Sequence, residues 1–322
     1  MDISVDNFDR TVGVSIVLPN YNGVELLKDN IPSVVCALKH WGVGEIIIVD
    51  DCSSDRSVEY IQEQFPTIKV IVNQSNKGFS ETCNIGMAAA QHPVYICMNT
   101  DVKVSEDFIS FLVHRLTSKA DIFAVTPQII VEREGKNQGA VVSAYRRGFI
   151  RGGFISLDEK LESRDNLYAI GACVAYDAEK FIALRGYSEV YSPFLFEDFD
   201  ISYRAWKRGW RSVYEPAAVV WHYSNATIYN KEGKPRFRPS IYARNRFIFH
   251  WVNLTDRTFV LRNALAIFIR LLVSFLWFDF NYYNAFWGAL QRRKAILALR
   301  RRERPFRKLS DADILRRTSR NN

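Results

Sequence analysis

The sequence predicts an α/β protein: a Rossmann-like, mostly parallel sheet with helices on both faces, extended by apolar and amphipathic helices towards the C-terminus. Three observations predict it. Between residues 12 and 120, continuous apolar runs alternate with segments of helical spacing, the pattern of parallel strands buried on both faces. Each of these runs stops on a polar cluster, at the edge where open α/β sheets bind ligands. From Pro239 onward the chain turns to aromatics, Leu and Ile and ends in a basic tail.

The elements follow in order. "GVSIVLPNYN" is a strand stopped by Pro19 and a polar turn, and Leu26–Leu38 has helical spacing. "EIIIVDDCSSD" is a second strand ending in acids and serines. Ser57–Phe65 reads as a helix, "IKVIVNQSNKGFS" as strand then loop, and Glu81–Gln91 as a helix. "VYICMNTD" is a fourth strand that stops on Asn99-Thr100-Asp101. A turn accounts for such an ending, because Asn and Asp commonly terminate strands; a carboxylate placed there to hold a metal accounts for it as well. Further on, "FAVTPQIIV" and "LYAIGACVAY" read as strands, and "YRRGFIRGGF" as a loop or hairpin. "FLFEDFDISYRAWKRGW" is an acidic entry into a helix that begins near Ile201 and ends at Gly209, with Asp200 suited to cap it and Trp206 in the core. "SVYEPAAVVWHYSN" is a last strand, with His222 at its exit.

Composition narrows the function classes. Cys36, Cys52, Cys83, Cys97 and Cys173 are odd in number and never spaced CxxC, which argues against a disulfide scaffold or zinc ribbon and favours a reducing cytosol. "MDISVDNFDRTVG" has no apolar h-region, so no signal peptide is expected. No GxxxxGK[ST] is present, which excludes a P-loop enzyme. The net charge of +8 is local: residues 291–322 hold twelve Lys/Arg and three Asp/Glu, and the other residues hold 31 basic and 32 acidic side chains. Between Phe259 and Leu290 the charges are Arg262, Arg270 and Asp279, so no window of about 18 residues is free of charge, as a clean membrane span would be. Two shorter helices broken near Asn281–Asn284 fit better than one. Apolar helices beside a basic tail suggest an in-plane anchor on an anionic membrane surface. The competing reading packs them on the rest of the chain or on a second subunit, making a homo-oligomer. A nucleic-acid partner is not expected, because the tail follows apolar helices rather than a DNA- or RNA-binding fold.

"SIVLPNYNG", "IIIVDDCSSD", "NKGFSETCNIG", "MNTDV" and "FLFEDFDISYR", in this order, resemble the inverting glycosyltransferases of family two, which have the GT-A fold, and most closely their bacterial rhamnosyltransferase-like branch. The resemblance covers Val14 to about Tyr223. It implies a catalytic region over residues 1–238, with a donor half at about 12–120 and an acceptor half at 121–238, and a C-terminal region over 239–322 that meets a membrane or a second subunit. It implies a nucleotide-sugar donor, UDP- or dTDP-linked, and a glycan or lipid-linked acceptor. Asp51 and Asp55 match positions that grip base and ribose; Pro19, Asn20 and Tyr21 match the loop beside the nucleoside; Asn76, Lys77 and Gly78 match the loop near the donor. Asn99, Thr100 and Asp101 align with the family's DxD motif, which holds Mg2+ or Mn2+ against the diphosphate. Here Asn99 replaces the first Asp, so Asp101 is the lone carboxylate and the metal leans on the donor. His222 matches a further ligand or phosphate contact. Gly171 and Ala172 match a small-residue turn near the acceptor. Glu197 and Asp198 match the pair that supplies the base, Asp198 as base and Glu197 orienting the acceptor, or the two exchanged. A nucleotidyltransferase on the same sheet would use the metal without that pair. With the apolar helices and the basic tail, the expectation is work at the cytoplasmic face of the cell membrane, as a peripheral or monotopic protein.

Overall fold

The computed structural model describes residues 8–159, 161–223 and 239–320. Residues 1–7, part of the stretch read for a signal peptide, and residues 224–238, where the two regions were expected to meet, lie outside the described residues.

The first four apolar runs form β1 (Val14–Asn20), β2 (Gly44–Asp50), β3 (Lys69–Val72) and β4 (Val94–Met98), joined by α1 (Val24–Trp41), α2 (Ser57–Gln64) and α3 (Phe79–Ala88). They pair in parallel in the order β3-β2-β1-β4. The chain leaves β1 for one side of the sheet and returns to β4 on the other, so the switch point, where such sheets bind ligands, lies between β1 and β4. Alternate residues of β1 serve opposite layers: Val14, Ile16 and Leu18 join Leu27 and Ile31 of α1, while Val17 joins Cys83 and Met87 of α3.

Beyond β4 the sheet is mixed. The chain continues through β5 (Val102–Val104), α4 (Phe108–Thr117), β6 (Ile122–Val131), β7 (Lys136–Arg146), β8 (Phe149–Ser156), β9 (Arg164–Asn166), β10 (Cys173–Asp177), α5 (Ala178–Ala183), α6 (Glu197–Lys207) and β11 (Arg211–His222). β10 lies antiparallel between β4 and β6, β11 runs parallel to β6, and β5 closes the edge antiparallel to β11. The Gly/Arg-rich stretch is the β7–β8 hairpin. α6 begins at Glu197, a turn earlier than the sequence pattern predicts.

The C-terminal helices are α7 (Pro239–Asn253), α8 (Arg257–Leu276), α9 (Phe280–Gln291), α10 (Arg293–Glu303) and α11 (Asp311–Arg317). The break expected near Asn281–Asn284 falls earlier, where Phe278 adopts a left-handed conformation (φ 53°) and ends α8. α6 is locked to this layer by buried charges. Arg208 at its end pairs with Glu303 at 2.7 Å and Lys207 with Asp311 at 2.7 Å, while Arg204 and Asp200 pair within the helix at 2.6 Å. Asp200 therefore does not cap α6. It is buried and accepts the Tyr191 hydroxyl and the Asn253 amide, each at 2.8 Å. Part of the basic tail also works inward, since Arg300 donates to the carbonyls of Trp251, Val252 and Leu254 at the end of α7.

α8 behaves differently. By length and composition it could cross a membrane. Asn263, Ile267 and Ser274 face the body, and Asn263 donates to the carbonyl of Gly148 in the β7–β8 turn at 2.8 Å. Leu261, Leu265, Phe268, Leu272 and Phe275, at helical spacing on the opposite face, are exposed. Trp277, Phe278, Phe280 and Trp287 extend that surface.

Candidate active site

The polar strand exits converge at the switch point. β1–β2 register sets Pro19 beside Val49 and Asn20 beside Asp50, and the Asn20 amide donates to Asp50 at 2.8 Å. The other amide atom of Asn20, Oδ1, is buried without a partner, and Tyr21 stands exposed next to it. Asp51 accepts the N–H groups of Lys77 (2.8 Å) and Gly78 (2.9 Å) and the Asn73 amide (2.9 Å). A carboxylate offers about four lone-pair directions, so most of Asp51 is spent shaping the 76–78 loop. Asn76 adds a 3.4 Å bond to the Asp51 carbonyl. Gly78 has φ 80°, and a Cβ there would come within 2.9 Å of the Pro193 carbonyl, so the loop tolerates only glycine. Lys77 pairs with Glu81, which holds its ammonium above the ordinary value. Asp55 accepts the Val24 N–H at the start of α1 (3.0 Å) and the Ser57 hydroxyl (2.5 Å). Burial pushes its carboxyl up, but these bonds prevail and hold it below the usual range.

Asp101 and His222 come together because β5 pairs with β11 in a register that sets Val102 beside His222. His222 Nε2 lies 3.3 Å from Asp101 Oδ1, yet that oxygen is buried with no hydrogen-bond partner. His222 Nδ1 meets Gln138 Oε1 at 3.0 Å. Gln138 is therefore placed to fix the ring so that Nε2 offers its lone pair. Two acceptors facing each other call for a proton or a cation between them. Among the described residues no group of three or more His, Cys, Asp or Glu is arranged for a metal. Two protein ligands thus fit a hard cation only if substrate oxygens complete its shell, as the single carboxylate implied. Thr100 is held by its carbonyl, which accepts the Asn30 amide at 2.9 Å.

The acid pair reaches the same place through a short relay. The Asn99 N–H donates to the Ala172 carbonyl at 2.9 Å, and the Gly171 N–H donates to Asp198 Oδ2 at 3.1 Å. The Gly171-Ala172 turn therefore ties the end of β4 to the start of α6. Asp198 keeps contact with solvent, whereas Glu197 is buried with Oε2 unpartnered. Burial, with the neighbouring Asp198 charge, pushes the Glu197 carboxyl up to about 8. Burial also raises Asp198, against the bonds from the N–H groups of Gly171 and Phe199. With its carboxyl pushed up to about 8, Glu197 is the proton-bearing member at neutral pH.

This burial has a stability consequence. Below the ordinary value of 4.5, Glu197 is protonated in both folded and unfolded chains and costs nothing. As pH rises from there through about 8, the unfolded chain releases a proton that the folded chain keeps, and the fold loses stability. Glu197→Gln stays neutral throughout. It is expected to raise the thermal midpoint at pH 8, by the equivalent of a few kcal/mol, with the gain shrinking as pH falls toward 4.5. A midpoint at pH 8 equal to or below wild type would contradict the assignment.

Three contributors escaped the sequence reading. Asn73 holds Asp51, and Gln138 holds His222. Asn245, fully buried on α7, donates to the carbonyls of Tyr191 (2.7 Å), Phe194 (2.9 Å) and Leu195 (2.8 Å). It thereby steadies the segment in which Leu195 (φ 76°) and Phe196 (φ 79°) both adopt left-handed conformations ahead of Glu197. Its one sequence signal is a polar residue amid the aromatics of "YARNRFIFHW".

Comparison with known proteins bears on the family and the fold. The chain is 27% identical over 223 residues to poly-beta-1,6-N-acetyl-D-glucosamine synthase of Staphylococcus aureus strain COL, which covers 68% of this chain and 51% of that protein. The Staphylococcus epidermidis protein of the same name is 24% identical over 218 residues. The chain therefore spans about half the length of the curated relatives it matches. Among solved structures it is similar to GalNAc-T7 with UDP, GalNAc and Mn2+ (TM-score 0.60, 21% identity, 78% of this chain and 49% of that one). It is also similar to S. aureus TarS 1-349 (TM-score 0.55, 14% identity, 94% and 89%). These likenesses speak for the GT-A-like fold alone. The model described as glycosyl transferase family 2 matches residues 15–185, more than half of the chain, and the chain belongs to that family.

Proposed function

We propose that the protein is a metal-dependent, inverting glycosyltransferase. It moves a sugar from a UDP- or dTDP-sugar, dTDP-rhamnose among them as in the rhamnosyltransferase-like branch, to a hydroxyl of a lipid-linked or cell-surface polysaccharide precursor. One observation carries the reading: the Asn99–Ala172 and Gly171–Asp198 bonds join a metal-competent Asp101–His222 pair to a carboxylate that is half-buried. The neighbour solved with UDP, GalNAc and Mn2+ supports use of a divalent cation.

Asp101 and His222 would hold Mg2+ or Mn2+, which neutralises charge on the donor diphosphate when bound. Asn20, Tyr21 and the free amide oxygen of Asn20 face the nucleoside, with Pro19 setting the turn; Asp51 and Asp55 hold the loops around it, and Asp51 keeps one lone pair for the base. Asn76, Lys77 and Gly78 form the loop that Asp51 holds against the donor, where Gly78 permits close backbone approach and the Lys77 ammonium, paired with Glu81, can meet a phosphate. Asp198 accepts the acceptor hydroxyl proton as that oxygen bonds to the anomeric carbon; the bond to the diphosphate breaks on the opposite face, and the nucleoside diphosphate leaves with the electron pair. Gly171 and Ala172 keep the acceptor side open, since neither carries bulk. The product distinguishes this reaction from nucleotidyl transfer: incubation with donor and metal is expected to release nucleoside diphosphate, and pyrophosphate would favour a nucleotidyltransferase instead.

We place the protein at the cytoplasmic face of the cell membrane, peripheral or monotopic, lying on anionic lipid through the outer face of α8 and the aromatics after it. The continuous exposed apolar surface beside the exposed Arg293, Lys294 and Arg301 of α10 supports this. A second copy covering the same surface is the competing arrangement. Wild type is expected to float with phosphatidylglycerol vesicles and Leu265→Asp/Phe268→Asp to remain in the dense fraction. A wild type that ignores the vesicles and sediments as a dimer would favour the homo-oligomer.

A further inference from the structure

Between the catalytic carboxylates and the apolar face of α8 lies a set of arginines that the reaction does not use. Arg246 sits on α7, one turn beyond Tyr242 and one turn before His250, so the three share a face. Its guanidinium covers the Phe149 ring at 4.5 Å, and its Nε is buried with no hydrogen-bond partner. Among the described residues no carboxylate pairs with it. Burial chiefly holds its guanidinium below the usual arginine range; the Tyr242 and Tyr282 hydroxyls oppose that, and the charges of Arg151 and Arg270 add to it.

Arg151 is exposed on β8 and also has no ion pair among the described residues. β8 is pinned to α7 next to it, where the Ile150 N–H donates to His250 Nε2 at 2.8 Å. The position after Arg151, Gly152, lies so close to the Tyr168 ring that a Cβ would sit 2.6 Å from it. Tyr168 stacks on Phe199, the neighbour of Asp198, at 4.4 Å. On the other side Arg270 covers the Tyr282 ring at 5.4 Å and pairs with Asp279 at 2.8 Å, and its helix carries the apolar face. β8 therefore lies between the aromatic stack beside Asp198, which meets it at Gly152, and Arg246, which covers Phe149 two residues before Arg151; Arg270 stands toward the exposed face of α8.

A half-buried cation such as Arg246, with its Nε unpartnered, is costly unless an anion joins it. We propose that Arg246, Arg151 and Arg270 form a phosphate subsite for an amphiphilic acceptor: its hydrocarbon chain lies on the α8–α9 face, its phosphate or diphosphate sits on the arginines, and its terminal sugar reaches Asp198. The inference rests on the membrane-linked acceptor proposed above and specifies its head group. An anionic bilayer lipid presents the same phosphate chemistry, and the test separates the two sources.

The test uses the full chain and three probes: decyl diphosphate, decyl maltoside as its neutral counterpart, and phosphatidylglycerol vesicles. Wild type is expected to bind decyl diphosphate at least about tenfold more tightly than decyl maltoside, and Arg246→Gln and Arg151→Gln each to reduce that preference by about tenfold while still floating with vesicles. Arg151 is exposed, so its variant decides the matter should Arg246→Gln fail to fold. Unchanged decyl diphosphate affinity in variants that float would overturn the subsite and leave the membrane reading standing. Equal loss of vesicle and diphosphate binding would make the arginines a general bilayer contact and overturn the subsite too. A wild type that binds neither probe nor vesicle would remove the membrane reading and the subsite with it.

Discussion

Asp198→Asn is expected to lower sugar transfer by about 10²–10⁴-fold, the contribution typical of a positioned general base, with donor affinity and thermal midpoint close to wild type. The asparagine retains the shape of the side chain, and its Oδ1 still accepts an N–H from Gly171 or Phe199, so the relay to Asn99 survives. What it loses is the ability to take a proton from the acceptor. The wild-type pH profile carries the same signature. Burial raises Asp198 and the Asp198 charge helps raise Glu197 to about 8, so the pair titrates above the ordinary carboxylate range. Activity should fall on acidification earlier than an exposed Asp would allow. Near-normal turnover by Asp198→Asn, measured as nucleoside diphosphate release in the presence of acceptor, would remove Asp198 from the base role and direct attention to Glu197.

Asp101→Ala carries the second large effect. Its orphaned Oδ1 faces His222 Nε2 at 3.3 Å, and it is the lone carboxylate of the Asn99-Thr100-Asp101 motif. Wild-type affinity for the nucleotide-sugar, by calorimetry, is expected to fall at least about tenfold when EDTA removes the cation, the scale of a lost charge-assisted contact. In Asp101→Ala, donor binding should be weak with or without metal, and EDTA should change little. Because the variant removes a carboxylate whose buried Oδ1 lacks a hydrogen bond, its thermal midpoint should be no lower than wild type, and measuring it separates weak binding from unfolding. An EDTA response equal to that of wild type would place the cation elsewhere.

How far the sequence could be read depended on how local each cause was. β1 to β4 were legible because Val/Ile runs buried on both faces leave a continuous apolar signal, and Asn20, Asp51 and Asp101 were legible because they end those runs. Where partners lie far apart in the chain, the pattern misled or fell silent. Asp200 looks like a helix cap in its own neighbourhood; Tyr191 and Asn253 give it a buried role instead, together with Arg204. Asp51 reads as a ligand for the nucleoside, whereas the structure spends most of it on Asn73 and the 76–78 loop, whose contribution no spacing announces. The basic tail reads as one electrostatic block, but Arg300 and Arg302 turn inward to carbonyls at the ends of α7 and α5. The α8–α9 break could not be located from Asn281 and Asn284, because it depends on the left-handed conformation of Phe278.

The most direct test of the account is nucleoside diphosphate release from a panel of UDP- and dTDP-sugars, with Mg2+ or Mn2+ and with EDTA. Slow donor hydrolysis reports even without the acceptor. The account predicts release from one donor, abolished by EDTA and in Asp101→Ala. Release that persists undiminished in EDTA, or a protein that binds none of these donors by calorimetry with metal present, would contradict it.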